Sequence, residues 1–431
     1  GAMSQQPHAP PAQVHKSGDT TAIRAAWARY FVPWVKLVDG HNYLDINYPG
    51  FDVYNYARSA LEGVPQQRLV DPYPASAPLI APVGKSLGRY TNLGDSLSWV
   101  YADRPKYSSD RINVSIQRQL PNQMVLDVTY FLNWTHGLYN NRNLNMVDPQ
   151  LWYTHKGALN QTVPNPFYNY LTPDKFPGSL RYEPEVSIAS LMKPYPQYRD
   201  LVIDQHPGGE ARYHSLQMKL QKAFSQGYTL LLAYNYHFES LTVFYDDIAT
   251  YNRNWTFQDS DAARHRLSGA GVWEVPVGKN RKLVTDAPRA LDALIGGWNL
   301  NGILSWRSGR FLRFGGYVVS GDPIVDSPSR GNWFNTSVFS RLPAYTPRTN
   351  PWQYPGLTGP GMLNVDASLV KSFTITEWLK AELQMQAFNA LNNFTPNDVV
   401  TSIDSPEFGK AIHQLANTYG RRVQLGMKLV W

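Results

Sequence analysis

The chain has 431 residues, a formal charge of +7 from 40 basic and 33 acidic side chains, and no cysteine. The lack of thiols excludes a disulfide framework, a cysteine-ligated zinc site and a thiol nucleophile, and a mild positive charge without any Lys/Arg run argues against a nucleic-acid partner. No apolar stretch reaches the ~18 residues of a transmembrane helix, whereas 27 Tyr and 13 Trp suit sheets and membrane–water interfaces, where one end of a ring is apolar and the other wet.

In chain order, Gly1-Ala2-Met3 reads as a tag-cleavage scar, and residues 1–19, rich in Pro, Gln and His, as that scar plus a flexible leader. From Thr20 onward the informative signal has period two, which puts alternate residues on opposite faces of a strand. The spacing predicts ten strands, at 20–32, 110–119, 123–133, 211–223, 228–238, 264–276, 296–307, 362–374, 378–391 and 419–431. Ile112, Val114 and Ile116 alternate with Asn113, Ser115 and Gln117, and Leu216, Met218 and Leu220 with Gln217, Lys219 and Gln221. In the last two segments Leu383 and Met385 share a face against Glu382, Gln384 and Gln386, while Val423, Leu425, Met427, Leu429 and Trp431 oppose Arg422, Gln424, Gly426 and Lys428.

The connections separate into two kinds. Those at 33–109, 134–210, 239–262, 308–361 and 392–418 are long; those at 120–122, 224–227 and 375–377 are tight and carry turn formers such as Pro121-Asn122 and Gln226-Gly227. The intermediate connection 277–295 holds Pro288 to Ile295, which reads as one short amphipathic helix. In an up-and-down sheet alternate connections lie at the same end, so one end has turns and the other long loops. That asymmetry is the pattern of an antiparallel transmembrane β-barrel, with extracellular loops at 33–109, 134–210, 239–262, 308–361 and 392–418.

Predicted strands of about ten to fourteen residues exceed the usual soluble strand of about five or six and match the ~9–11 that cross a bilayer at a tilt. In lipid every backbone polar group needs an internal partner, so a closed sheet with apolar residues outward meets both constraints. Val423, Leu425, Met427, Leu429, Leu383 and Met385 are then the lipid-facing residues, and Trp298, Trp306, Tyr228, Tyr236 and Trp431 fall at strand ends, where interfacial girdles belong.

Several stretches resemble the C-terminal barrel of TonB-dependent receptors, in particular the large Oar-like group with an N-terminal carboxypeptidase-regulatory-like domain. They are Asp110 to Pro121, Tyr213 to Phe224, Asp261 to Lys279, Gly296-Gly297-Trp298, Trp333-Phe334-Asn335-Thr336 and Gln386 to Phe394. The resemblance covers roughly 20–431. It implies a 22-stranded barrel closed around a plug, importing a scarce ligand with energy from TonB, and it makes Trp431 the end signal read by the barrel-assembly machinery. This sequence departs from that pattern: it offers about ten strands and no visible plug, TonB box or regulatory domain. The expectation is a fragment, or one piece of a split receptor, whose partners are outer-membrane lipid, the plug and N-terminal strands, TonB and the assembly machinery through the complete receptor, and an unidentified ligand.

Catalytic motifs are not visible: there is no His-Glu-x-x-His, no Gly-x-Ser-x-Gly and no phosphate loop. Asp246 and Asp247, with Asp259 and Asp261 nearby, form the one acidic grouping with the look of a Ca²⁺ or acid–base site, and a solvated loop accounts for it better. The histidines show no ligand spacing, and no cofactor is expected. Two other functions fit the same residues: a structural or adhesive outer-membrane protein, and a soluble secreted carbohydrate-binding β-protein.

Overall fold

The computed structural model describes residues 12–15, 20–31, 36–38, 41–43, 49–51, 70, 71, 73, 78, 81–101, 103, 106–279, 281–376 and 378–431. About half of the 33–109 connection and most of the leader lie outside the described residues. Ala12–His15, inside the predicted leader, forms a short strand paired with Ala22–Ala25.

Ten long strands build one sheet: β1 (Thr21–Phe31), β2 (Ser108–Leu120), β3 (Met124–Asn143), β4 (Leu201–Ser225), β5 (Tyr228–Phe244), β6 (His265–Glu274), β7 (Trp298–Arg307), β8 (Met362–Thr374), β9 (Lys380–Phe388) and β10 (Arg422–Val430). Each pairs antiparallel with its sequence neighbour. Ala12–His15, Trp255–Asp259 and Leu97–Val100 bring the sheet to thirteen strands, the last of them parallel to the start of β4. β10 and Ala12–His15 are the two edges and do not pair with each other, so the sheet is open and these strands do not close into a small barrel by themselves. Closure requires a ladder between edge strands, and the outer N–H and C=O groups of β10 have no ladder partner among the described residues.

The hairpins confirm the two-ended layout. At one end Asn122 and Gln123, and then Gln226 and Gly227, take positive φ, the conformation that matches a tight hairpin to strand twist. The 275–297 connection at the same end contains the helix α1 (Arg289–Ile295), with Pro288 at its N-terminus. Asp292 accepts a 2.6 Å hydrogen bond from the Lys279 amide and fastens the helix to the hairpin. Apart from 275–297, the long connections leave from the opposite, loop end.

Three strands run further than their sequence pattern predicts. β3 continues to Asn143, β4 begins at Leu201 and β5 continues to Phe244. The loop predicted at 134–210 is therefore 144–200, and that predicted at 239–262 is 245–264. The reason is visible in the ladder: the β3–β4 register shifts between Ile203 and His206 and again between Pro207 and Gly209. Bulges there absorb Pro207 and two glycines, residues that a sequence reading treats as breakers. The loop predicted at 392–418 occupies 389–421, since β9 ends at Phe388 and β10 starts at Arg422.

Candidate functional site: an apolar belt and a loop crown

Directly paired residues project from the same side of a sheet, so the register defines two faces. One unbroken row runs Ile23, Ile116, Val128, Met218, Tyr234, Leu267, Trp306 and Leu363 across eight strands. On the same face Leu425 lies opposite Met385 and Met427 opposite Leu383. These four, with Val423 and Leu429, are 44–77% exposed. An apolar row that long, left uncovered, is unlike a soluble sheet, which turns such a face into its core. Aromatics bracket it. Tyr228, Trp273, Trp298 and Phe373 lie towards the turn end, and Trp134, Tyr236 and Trp306 towards the loop end. Trp431, beyond β10, is 85% exposed.

Sequence reasoning missed two lysines that fall in register with this apolar face, Lys222 opposite Leu230 and Lys371 opposite Leu383. Both are buried, at 1% and 4% exposure. The Lys222 ammonium folds towards the turn and donates to the Ser225 carbonyl and hydroxyl at 2.7 Å each and to the Tyr228 carbonyl at 3.2 Å, with the Tyr228 ring 3.9 Å away. Lys371 donates to the Gly296 carbonyl and lies over the Trp298 and Phe373 rings. Each charge is removed from the apolar surface by a hairpin's own carbonyls, the inward version of a snorkelling side chain. Only the register reveals this.

The opposite face is mostly polar. The next row reads Arg24, Ser115, Thr129, Gln217, Asn235, Arg266, Arg307 and Met362. It is less uniformly polar than the sequence implies, because Leu231, Val272 and Ile303 also project here and line a hollow of about 510 Å³.

At the loop end the connections fold into two lobes, each with its own core. The first, from 308–361 and 389–421, packs Leu312, Phe314, Phe334, Phe339, Leu357, Val399 and Ala411. Phe314 stacks on Phe339 at 5.0 Å and meets Phe334 edge-on at 5.2 Å. Buried Asn350 ties this lobe together: its amide donates to the Gly315 carbonyl and accepts from the Tyr317 amide, both at 2.9 Å. Arg348 donates to the carbonyls of Asn350 and Phe314 and lies 3.7 Å from the Trp352 ring. Partial burial pulls its pKa below the ordinary arginine value, in keeping with a cation bonded to the lobe's own carbonyls.

The second lobe, from 144–200 with 81–101, packs Phe176, Leu180 and Val186. Asn145, 0% exposed, donates to the carbonyls of Tyr195, Tyr198 and Arg199 and accepts from the Tyr195 amide. Close packing at Gly178 admits no side chain, because a Cβ there would lie 2.2 Å from the carbonyl carbon of Gly94. Tyr345 joins the lobes: its ring stacks on Trp152 at 6.2 Å and its hydroxyl accepts from the Asn160 amide at 2.9 Å. A cavity of about 660 Å³, lined by Tyr245, Phe257, Arg264, Phe311, Trp352 and Tyr354, lies at the base of the crown.

The acidic grouping singled out in the sequence is dispersed. Asp246 caps the helix Asp247–Asn252 by accepting from the Ala249 amide at 2.8 Å. Asp259 holds Arg264 at 2.8 Å and Asp261 holds Arg310 at 2.6 Å. Among the histidines, His214 and His265 each bond a tyrosine hydroxyl at 2.7 Å, to Tyr130 and Tyr234.

An open antiparallel sheet with one uncovered apolar face, aromatic borders and both of its cored lobes at one end defines a membrane-barrel wall. The chain matches the outer membrane β-barrel domain family over residues 13–424, and it belongs to that family. Its place is therefore the bacterial outer membrane. No curated protein matches it in sequence. Among solved structures it is similar to the outer membrane transporter YddB from Escherichia coli, with 12% identity and a TM-score of 0.39 over 96% of this chain and 39% of that one. It is also similar to the ferripyoverdine receptor of Pseudomonas aeruginosa, with 10% identity and a TM-score of 0.37 over 96% of this chain and 31% of that one. The siderophore receptor PiuA from Acinetobacter baumannii gives 9% identity and a TM-score of 0.36 over 96% of this chain and 34% of that one. The chain thus spans about two fifths of the first of these proteins and about a third of the others.

Proposed function

We propose that this chain is the ligand-capturing wall of an outer-membrane receptor of the TonB-dependent, Oar-like kind. Its apolar face, including Val423, Leu425, Met427, Leu429, Leu383 and Met385, contacts lipid; its crown, on the extracellular side, binds the ligand; its polar face lines the import path. The remaining strands of a 22-stranded barrel, the plug and the TonB-coupling segment belong to the rest of the receptor, and Trp431 presents the terminal aromatic to the assembly machinery. The observation that carries this reading is the segregation of two folded, hydrophobically cored lobes to one end of a wall with tight turns at the other. A purely structural wall has no use for lobes with their own cores.

The test is made in cells carrying the complete receptor. Removal of residues 312–357 leaves the barrel in the outer-membrane fraction and abolishes accumulation of labelled peptide or oligosaccharide pools. Accumulation in the intact receptor is expected to be sensitive to a protonophore. Surface binding that is insensitive to the protonophore, with no accumulation, would instead assign the protein to adhesion.

A further inference from the structure

On the polar face, at the loop end, Arg266 and Arg307 are directly opposed across the β6–β7 ladder. Arg266 is the second residue of β6 and Arg307 the last of β7, so the pair sits at the mouth of the wall, directly beneath the crown. Like charges facing each other across a ladder repel, with Cβ atoms about 4.5–5.5 Å apart. Other arginines at this mouth are neutralised: Arg264 by Asp259 at 2.8 Å, and Arg310 by Asp261 and Asp398 at 2.6 and 3.2 Å. Among the described residues neither the Arg266 nor the Arg307 side chain has an ion pair or a side-chain hydrogen bond, although Arg266 lies within electrostatic range of His237. Even the adjoining Asn235, opposite Arg266, leaves its Oδ1 unpartnered. On the other side Met362 lies opposite Arg307 and borders a groove of about 700 Å³ with Ser305, Asn364 and the carboxylate Asp366; the two arginines stand outside that groove's lining.

We propose that Arg266 and Arg307 form an oxyanion site that takes a carboxylate or phosphate group of the incoming ligand. Guanidiniums carried by two directly opposed residues can both turn forked N–H donors towards the oxygens of one such group. The anion also removes the repulsion between them, so the wall is more stable occupied than empty. This assignment rests on the receptor reading for the ligand's route, but the site itself is a property of the folded chain.

The experiment uses the full chain folded in detergent micelles, with inorganic phosphate and acetate as probes at constant ionic strength. Phosphate is expected to raise the thermal midpoint and to broaden its own ³¹P resonance. Arg266→Gln with Arg307→Gln is expected to weaken that binding about tenfold or more while leaving the anion-free midpoint unchanged or higher, because a repulsion has been removed. Arg266→Lys, which keeps the charge and loses the fork, should fall between. Lys428→Gln, on the same face at the turn end, should bind as the parent does. Equal binding in parent and double variant, or none in the parent, overturns the proposal. Repeating the titration in the complete receptor separates the sources of the oxyanion: retained binding supports a ligand group, and loss of binding overturns that assignment in favour of a carboxylate of the receptor's own chain. Because binding is read on the folded chain and import in cells, either can fail without the other.

Discussion

Leu425→Lys tests the physical basis of the membrane assignment. Leu425 lies in the middle of β10, is 77% exposed, and faces Met385 across the ladder, so a lysine meets no steric obstacle. In water a substitution at so open a position is worth no more than about 0.5 kcal/mol. On the lipid face near the bilayer midplane it costs about 2–4 kcal/mol. Since each ~1.4 kcal/mol is a factor of ten, the ratio of folded to unfolded chain drops by roughly thirty- to several-hundred-fold. Gln424→Lys, one residue away on the polar face and opposite Gln386, is the matched control and should shift stability by no more than about 0.5 kcal/mol. The assay is denaturant unfolding of the chain folded into lipid vesicles, followed by tryptophan fluorescence. If the two variants unfold at the same midpoint, the apolar row does not face hydrocarbon and the argument from the two faces collapses.

Lys222→Met removes the ammonium that joins the Ser225 and Tyr228 carbonyls; at about 1.5–3 kcal/mol for hydrogen bonds to a charged group, less up to ~1 kcal/mol recovered by taking a charge off the apolar face near its rim, a net loss of about 1–2 kcal/mol is expected in the same unfolding assay, and a gain would contradict the carbonyl-capping role. Asn145→Ala strips three carbonyls and one amide of their partner, so hydrogen exchange in 144–200 should accelerate by about tenfold or more while the β6–β9 ladder stays protected. Burial pushes the Asp200 carboxyl up, but the Asn143 hydrogen bond and the nearby Lys193 ammonium outweigh it and hold its pKa below the ordinary value. Its contribution is therefore present above the unfolded aspartate range near ~3.9 and lost as the pH falls through the lower folded value; the second lobe should loosen below about pH 4, by a small amount because the side chain is half-exposed, and Asp200→Asn should remove that component.

How much of this was legible in the sequence follows from where side chains meet a uniform environment. All ten long strands were visible because each keeps one face mainly apolar and the other mainly polar over most of its length, with exceptions such as Lys222, Lys371, Leu231 and Ile303 too few to hide the alternation. The short helix at Arg289–Ile295 was visible for a similar reason, since proline and a brief apolar period mark it. The upper parts of β3, β4 and β5 were not visible: above the belt neither face needs to be apolar, so the alternation lapses although the ladder continues. The lobes were hidden because Phe314, Phe334 and Phe339 come from irregular chain with no period to betray them. Lys222 and Lys371 look like ordinary polar positions until the register places them on the apolar side. The paired arginines Arg266 and Arg307 are far apart in sequence, and only strand neighbourhood makes their opposition evident.

The free side of β10 constrains whatever lies next to it. Side chains alternate with a period of two, so a neighbour docking there has only one productive phase. It must bring a greasy or aromatic residue alongside Val423, Leu425, Met427 and Leu429, and a hydrophilic one alongside Gln424, Gly426 and Lys428, preferably with an acid near the last. Sliding by a single position would invert that match along the whole seam, so the composition of any strand that pairs here is already written, in negative, on this one.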